Sequence, residues 1–201
     1  MVIFWYAKIW AVNATAPIFL YTSWRTGGTA LAAAFKNLDS VMLFYDPLNP
    51  ILESLDSSQE VNSSSWTSNH PSGFTYFEQY LPLFKNGKIA QFPNLTSFTF
   101  RNSSKDFQAE LITYIQSLVD LATSDGRVAV FKFEQLEGHV SILRSGFPES
   151  LHLGVARNPE LQYESWLEQF ALGNLHFFRS AQNLIEGDLE FFKPKFQLKS
   201  P

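Results

Sequence analysis

Short apolar runs closed by polar or turn-forming residues recur along the chain, with helix-spaced stretches between them. Pro17 to Trp24 (PIFLYTSW) reads as a buried strand, and Arg25-Thr26-Gly27-Gly28-Thr29 after it as a turn. Ala30 to Lys36 (ALAAAFK) is a strong helix former, and Ser40 to Tyr45 (SVMLFY) is a second buried strand, ended by Asp46-Pro47-Leu48-Asn49-Pro50. The first fifty residues therefore predict a strand–loop–helix–strand unit, the sequence form of a parallel βαβ. From Asp106 to Thr123, the residues Leu111, Ile115, Leu118, Val119 and Ala122 fall at helical spacing. Arg127 to Phe133 (RVAVFKF) predicts a third strand, Gly138 to Phe147 a short helix and Leu151 to Ala156 (LHLGVA) a fourth strand. Pro159 then suits the first turn of a helix running to about Leu172.

Other stretches carry weaker patterns. Residues 54–72 hold eight Ser together with Asn, Pro and Asp, which predicts a loop or lid. Phe74 to Phe100 is aromatic and irregular, and Gly173 to Pro201 has a weak pattern with a basic end. The start, Met1 to Val12, is apolar but interrupted by Lys8 and far short of the roughly 20 residues of a spanning helix. Ala14-Thr15-Ala16 mimics a signal cleavage site, but no basic region precedes it and Pro17 would follow the cut. An extra strand or a packed N-terminal segment is the expectation. With no secretion signal, the sequons at Asn13, Asn62, Asn94 and Asn102 are read as accidental.

The alternation of strand and helix predicts a three-layer α/β fold with a central parallel sheet flanked by helices, in a single domain spanning 1–201. Composition narrows the chemistry. The net charge of −4 supplies no broad basic face, so a general nucleic-acid binder is excluded, and an anionic ligand must be held by a few placed cations and backbone amides. With no cysteine, thiol catalysis, disulfides and Cys-based zinc sites are excluded, and a reducing, cytoplasmic setting is favoured. The four His show no metal-ligand spacing, and no metal is expected.

In open α/β sheets, ligands collect at the carboxyl ends of the strands. Gly27 and Gly28 let the backbone approach a ligand, and the amides of Thr26 to Thr29 at a helix N-terminus form a ready anion site. Arg25 adds a fork of donors suited to phosphate or sulfate. A Walker pattern is absent, since no Lys precedes Thr29. Arg157 ends the fourth strand, and Ser165 lies eight residues on, in the second turn of the next helix; together they can grip a phosphate. Lys132 and Glu134 share one strand face, either as charge stabiliser and base at a crevice rim or as a solvated pair. Asp46 ends the second strand beside the Arg25 loop, placed to take a proton from an acceptor hydroxyl or merely to open a Pro-terminated turn.

In combination these features resemble the sulfotransferases that use 3′-phosphoadenosine-5′-phosphosulfate. YTSWRTGGTAL is similar to their 5′-phosphosulfate loop, in the Arg-Thr-Gly form of Golgi-type carbohydrate and tyrosyl-protein enzymes. HLGVARNPELQYESW resembles the 3′-phosphate motif, and VFKFEQLEGHVSILRSGFPES the link between that motif and the central strand. The resemblance covers roughly 17–50 and 127–172, and it implies a P-loop-like fold. It also implies that Arg25 and the amides of Thr26, Gly27, Gly28 and Thr29 hold the phosphosulfate, and that Arg157 and Ser165 hold the 3′-phosphate. Asp46 falls where Golgi-type enzymes place a catalytic Glu. Lys132 falls where cytosolic enzymes place a sulfuryl-contacting Lys, and Glu134 stands at the position of their catalytic His. The chain is short for the family and lacks its Gly-rich basic closing loop, as expected of a fragment, a minimal member or a degenerate one.

The implied activity is in-line sulfuryl transfer to a hydroxyl or amine of a small-molecule or carbohydrate acceptor. Two other readings remain open at this point. One is a non-catalytic nucleotide-binding module on the same fold. The other is a nucleotide phosphotransferase, which needs a Mg²⁺ site and a P-loop Lys.

Overall fold

The computed structural model describes residues 2–4, 16–49, 52, 77–85, 88–89, 91–93, 104–134, 136 and 139–173. Along the chain run β1 (Val2–Phe4), β2 (Ile18–Thr22), α1 (Gly28–Lys36), β3 (Val41–Tyr45), a 3-10 helix (Glu78–Leu83), β4 (Phe84–Lys85), β5 (Lys88–Ile89), α2 (Lys105–Ser124), β6 (Val128–Phe133), α3 (Val140–Gly146), β7 (Leu151–Ala156) and α4 (Pro159–Ala171). The main sheet has the order β1-β7-β2-β6-β3. Its four predicted strands are all parallel, and β1 is added antiparallel to β7. The protein is thus an α/β fold built on a four-strand parallel sheet flanked by helices. The expected extra N-terminal strand is β1. Residues 54–72, the four sequons and the chain beyond Gly173 lie outside the described residues.

Strand burial explains why these runs were legible. All five residues of β3 are buried, as are five of six in β6, so both faces are covered and the sequence reads as a continuous apolar run. Register then sorts the two faces. Phe44, Phe131, Phe19 and His152 are register partners across four strands, and neighbouring rings sit 5.2, 5.1 and 5.1 Å apart, stacked. Phe147, at the end of α3, packs on Phe19 from this side. The high aromatic content serves this cross-strand ladder, in which each fully buried ring contributes roughly 1.5–3 kcal/mol. The opposite face carries Leu20, Lys132 and Tyr45, also in register, and it meets α1.

His152 sits in the ladder as a packed residue, as its place in a strand suggests. Tyr21 Oη lies 2.7 Å from its Nδ1 and Ser150 Oγ 2.8 Å from its Nε2. Burial, with the Arg144 charge nearby, holds the imidazole down at about 4.

Two differences from the sequence reading concern placement. The β2–α1–β3 unit is parallel as expected, but β6 lies between its strands, so β2 and β3 are not neighbours. The irregular aromatic stretch contains, in its described part, the 3-10 helix and a two-residue hairpin, which carry too little periodicity to register.

Helix α1 starts at Gly28, two residues before the Ala-rich run, because the chain must turn and pack tightly there. Gly27 adopts φ 94°, a left-handed conformation that glycine takes without strain. A Cβ on Gly28 would lie 2.6 Å from Thr22 Oγ1 and 2.7 Å from Thr22 Cβ and Cγ2. Thr22 cannot yield freely, since it is buried and its Oγ1 donates to the Phe133 carbonyl at 3.0 Å. Gly28→Ala is therefore expected to destabilise the protein by about 1–3 kcal/mol despite alanine's better helix propensity. A urea midpoint equal to or above wild type would show that the α1 terminus is free to move off β2.

Candidate anion and acid–base site

The four parallel strands bring their carboxyl ends to one edge, so Arg25, Asp46, Glu134 and Arg157 all follow strand ends there. Because β2 and β7 are adjacent, with Thr22 opposite Val155, the Arg25 and Arg157 loops lie side by side. The Arg157 guanidinium donates to the Arg25 carbonyl at 3.1 Å, and Arg25 Nε donates to Ser165 Oγ at 2.8 Å. Three residues from the two anion motifs thus meet. Ser165 is buried on the inner face of α4, which Asn158 caps by accepting from the Glu160 amide at 2.8 Å.

The loop before α1 is held from outside and strained within. Gln162, one turn before Ser165, donates through Nε2 to Ser23 Oγ at 3.0 Å and also to the Trp24 carbonyl. Thr26 is buried, and its hydroxyl donates to the Ser23 carbonyl at 2.7 Å. Arg25 has φ 63° and Asp46 φ 44°, two of the three non-glycine residues in the left-handed region among those described. Such backbones cost about 1–3 kcal/mol each and persist where the surroundings over-determine them, typically at functional sites. Burial and the Arg157 charge push the Arg25 guanidinium below its usual range, while Glu168 opposes the shift. Two cations forced together at a helix N-terminus with no side-chain cap form a place for an anion.

One strand pair away stands a buried charged cluster. Lys132 is 1% exposed, so the expectation of a solvated or crevice-rim lysine is corrected. Its register puts it on the face that meets α1, where the chain covers it. Its ammonium is ion-paired with Glu134, lies 3.0 Å from Tyr45 Oη and sits over the Tyr45 ring, 4.1 Å from the centroid. Tyr45 Oη also lies 3.2 Å from Glu134 Oε1 and 3.0 Å from Thr29 Oγ1. Thr29 thereby ties the anion loop to this cluster.

Asp46 stands at the far side of the same cluster. Its amide donates to the Lys132 carbonyl at 2.7 Å, and its carboxylate accepts from Asn49 Nδ2 at 3.0 Å. Burial, and next the Glu134 charge, push the Asp46 carboxyl up to about 7, against the opposing pull of Lys132. The sequence places Asp46 beside the Arg25 loop; in the fold it adjoins Lys132 and Glu134, because β6 intervenes.

Sequence reasoning missed Tyr45 and Gln162. Tyr45 reads as the apolar end of a strand, and the signal lay in its position directly before Asp46. Gln162 is three residues before Ser165, hence on the same helix face.

Among the described residues, no helix is long and apolar enough to cross a membrane. Comparison of the chain with protein-family models, with curated proteins and with solved structures returned no match.

Proposed function

We propose that the protein is a sulfotransferase that moves a sulfuryl group from 3′-phosphoadenosine-5′-phosphosulfate to an acceptor hydroxyl or amine. The observation that carries this reading is the meeting of Arg25, Ser165 and Arg157 at the uncapped N-terminus of α1, on adjacent parallel strands. Two guanidiniums and a run of amides suit a ligand with two separate anionic groups. The nucleotide supplies the activated sulfuryl group. Arg25 and the amides of Thr26 to Thr29 neutralise charge on the leaving phosphate, and Arg157 and Ser165 anchor the 3′-phosphate.

In the transfer, an acceptor oxygen forms a bond to sulfur while the bond from sulfur to the bridging phosphate oxygen breaks, and that oxygen keeps the electron pair. The acceptor proton goes to Asp46. A carboxyl near 7 is matched to this task, because an effective base has a pKa close to the working pH. Glu134 is already engaged by Lys132 and Tyr45, which supports Asp46 as the base and leaves Glu134 to position Lys132.

Calorimetry with 3′,5′-adenosine bisphosphate and with ATP–Mg²⁺, followed by a sulfuryl-transfer assay, tests the reading. Bisphosphate binding and transfer are expected. Binding without transfer would instead indicate a non-catalytic module, and preference for ATP–Mg²⁺ a phosphotransferase. Arg157→Ala is expected to weaken bisphosphate binding by about 2–4 kcal/mol while leaving adenosine 5′-phosphosulfate nearly unaffected. Equal loss for both ligands would make Arg157 a loop support, in keeping with its bond to the Arg25 carbonyl.

A further inference from the structure

We infer that Tyr45 is a positioning residue that couples occupancy of the α1 N-terminus to protonation of the carboxylates around Lys132. The inference rests on reading that terminus as an anion site. Its basis is the set of three polar groups within 3.2 Å of one hydroxyl: Lys132 Nζ, Thr29 Oγ1 and Glu134 Oε1. Tyr45 is 3% exposed, so its hydroxyl is shielded from bulk water.

The donor count orders the network. An ammonium only donates, so Lys132 Nζ donates to Tyr45 Oη. Tyr45 has a single proton, and Glu134 as a carboxylate only accepts, so that proton goes to Glu134. The Thr29 hydroxyl must then donate to Tyr45 as well. This sequence from Thr29 through Tyr45 to Glu134 holds while Glu134 is ionised. Thr29 lies in the first turn of α1, whose leading amides have no acceptor within the helix. An anion seated on those amides offers the Thr29 proton a stronger acceptor. When Thr29 turns to it, Tyr45 loses one of its two donors and is less able to support the charge on Glu134. Occupancy of the terminus therefore favours a proton on the carboxylates, and by reciprocity a proton there favours the anion.

Three further titratable groups are placed against the cluster by the described contacts, Lys132, Tyr80 and Tyr114. Lys132 is the one cation that the described contacts place between Asp46 and Glu134, so with both carboxylates ionised the cluster is net negative. Tyr80, from the 3-10 helix, donates to the Tyr45 carbonyl at 3.0 Å, and burial pushes its hydroxyl well up. Tyr114, from α2, is fully buried and pushed up likewise. Both stay neutral, which leaves the two carboxylates as the groups that take up the proton.

The test is titration calorimetry with 3′,5′-adenosine bisphosphate at pH 7 in two buffers of different ionisation enthalpy. Wild type is expected to take up about half a proton per ligand, equivalent to an affinity that falls about threefold per pH unit. Tyr45→Phe keeps the ring under Lys132 and removes the hydroxyl; binding should persist with the uptake largely lost. Thr29→Val cuts the same link from the helix side and also removes a hydroxyl that meets the anion, so it should lose the uptake together with part of the affinity, even if Tyr45→Phe folds poorly. Binding without uptake in wild type, or unchanged uptake in either folded variant, overturns the coupling alone. Absence of any binding overturns the anion-site reading and the coupling with it.

Discussion

Asp46→Asn is expected to lower turnover at least about a hundredfold while leaving bisphosphate affinity near wild type. Asparagine keeps the shape of the side chain and removes its charge. A general base typically contributes 10²–10⁴-fold, whereas a carboxylate that only braces a turn would show its loss in stability. Stability should in fact move the other way with pH. The folded state holds the Asp46 carboxyl up at about 7, above its ordinary 3.8, so the fold favours the protonated form. That contribution is fully present below 3.8 and is lost as pH rises through 7. The Asn variant carries no such liability. Relative to wild type it should therefore gain in melting temperature between pH 5 and pH 8. Glu134→Gln should lose much less turnover. The reverse ranking of the two variants would assign the base to Glu134, and little loss from either would mean that the acceptor ionises without help.

Lys132→Met is expected to cost about 3 kcal/mol of stability at pH 8. Removing one partner of a buried ion pair typically costs 3–5 kcal/mol, because the other charge is left uncompensated. The Glu134 side chain is 25% exposed, so water relieves part of that penalty and the lower end applies. Two readouts separate this cause from lost packing. The cost should shrink at pH 5, where the Asp46 carboxyl, held up at about 7, is protonated. The added change Glu134→Gln should recover part of the loss, in a double-mutant cycle with a clear coupling. A cost that is the same at both pH values, with no rescue, would mean that Lys132 contributes through its methylenes.

Three of the four parallel strands, β2, β3 and β6, were legible because burial on both faces leaves an unbroken apolar run, as in VMLFY of β3, whereas β7 is mostly half-buried or exposed. Strand order was not legible. Nothing local to residues 18–45 says that β6, more than eighty positions after β3, will come between β2 and β3. That long-range insertion decides which charges become neighbours, and it moved Asp46 from the Arg25 loop to Lys132. The return of Ser165 to the sheet edge was legible from helix phase, since it is position seven of α4, but its bond there goes to Arg25 and not to Arg157. The burial of Lys132 was not, because a lysine at a strand end reads as exposed until a helix is laid over it. Tyr45 was invisible for the opposite reason: a tyrosine in an apolar run reads as packing, and only its hydroxyl partners reveal it as a junction.

Strand β2 carries the anion loop, yet Ile18 pairs with Val130 on one side and Leu151 on the other. More than a hundred residues must emerge from the ribosome before β2 has any partner in the sheet. Ser165 and Gln162, which brace the loop, arrive later still. Nascent chains will hold β2, with its apolar residues and unmet backbone groups, open to wrong partners over most of synthesis. Loops closed over such distances form slowly, so folding is expected to be late and concerted. Ligand competence should accordingly appear in one step, after α4 has docked.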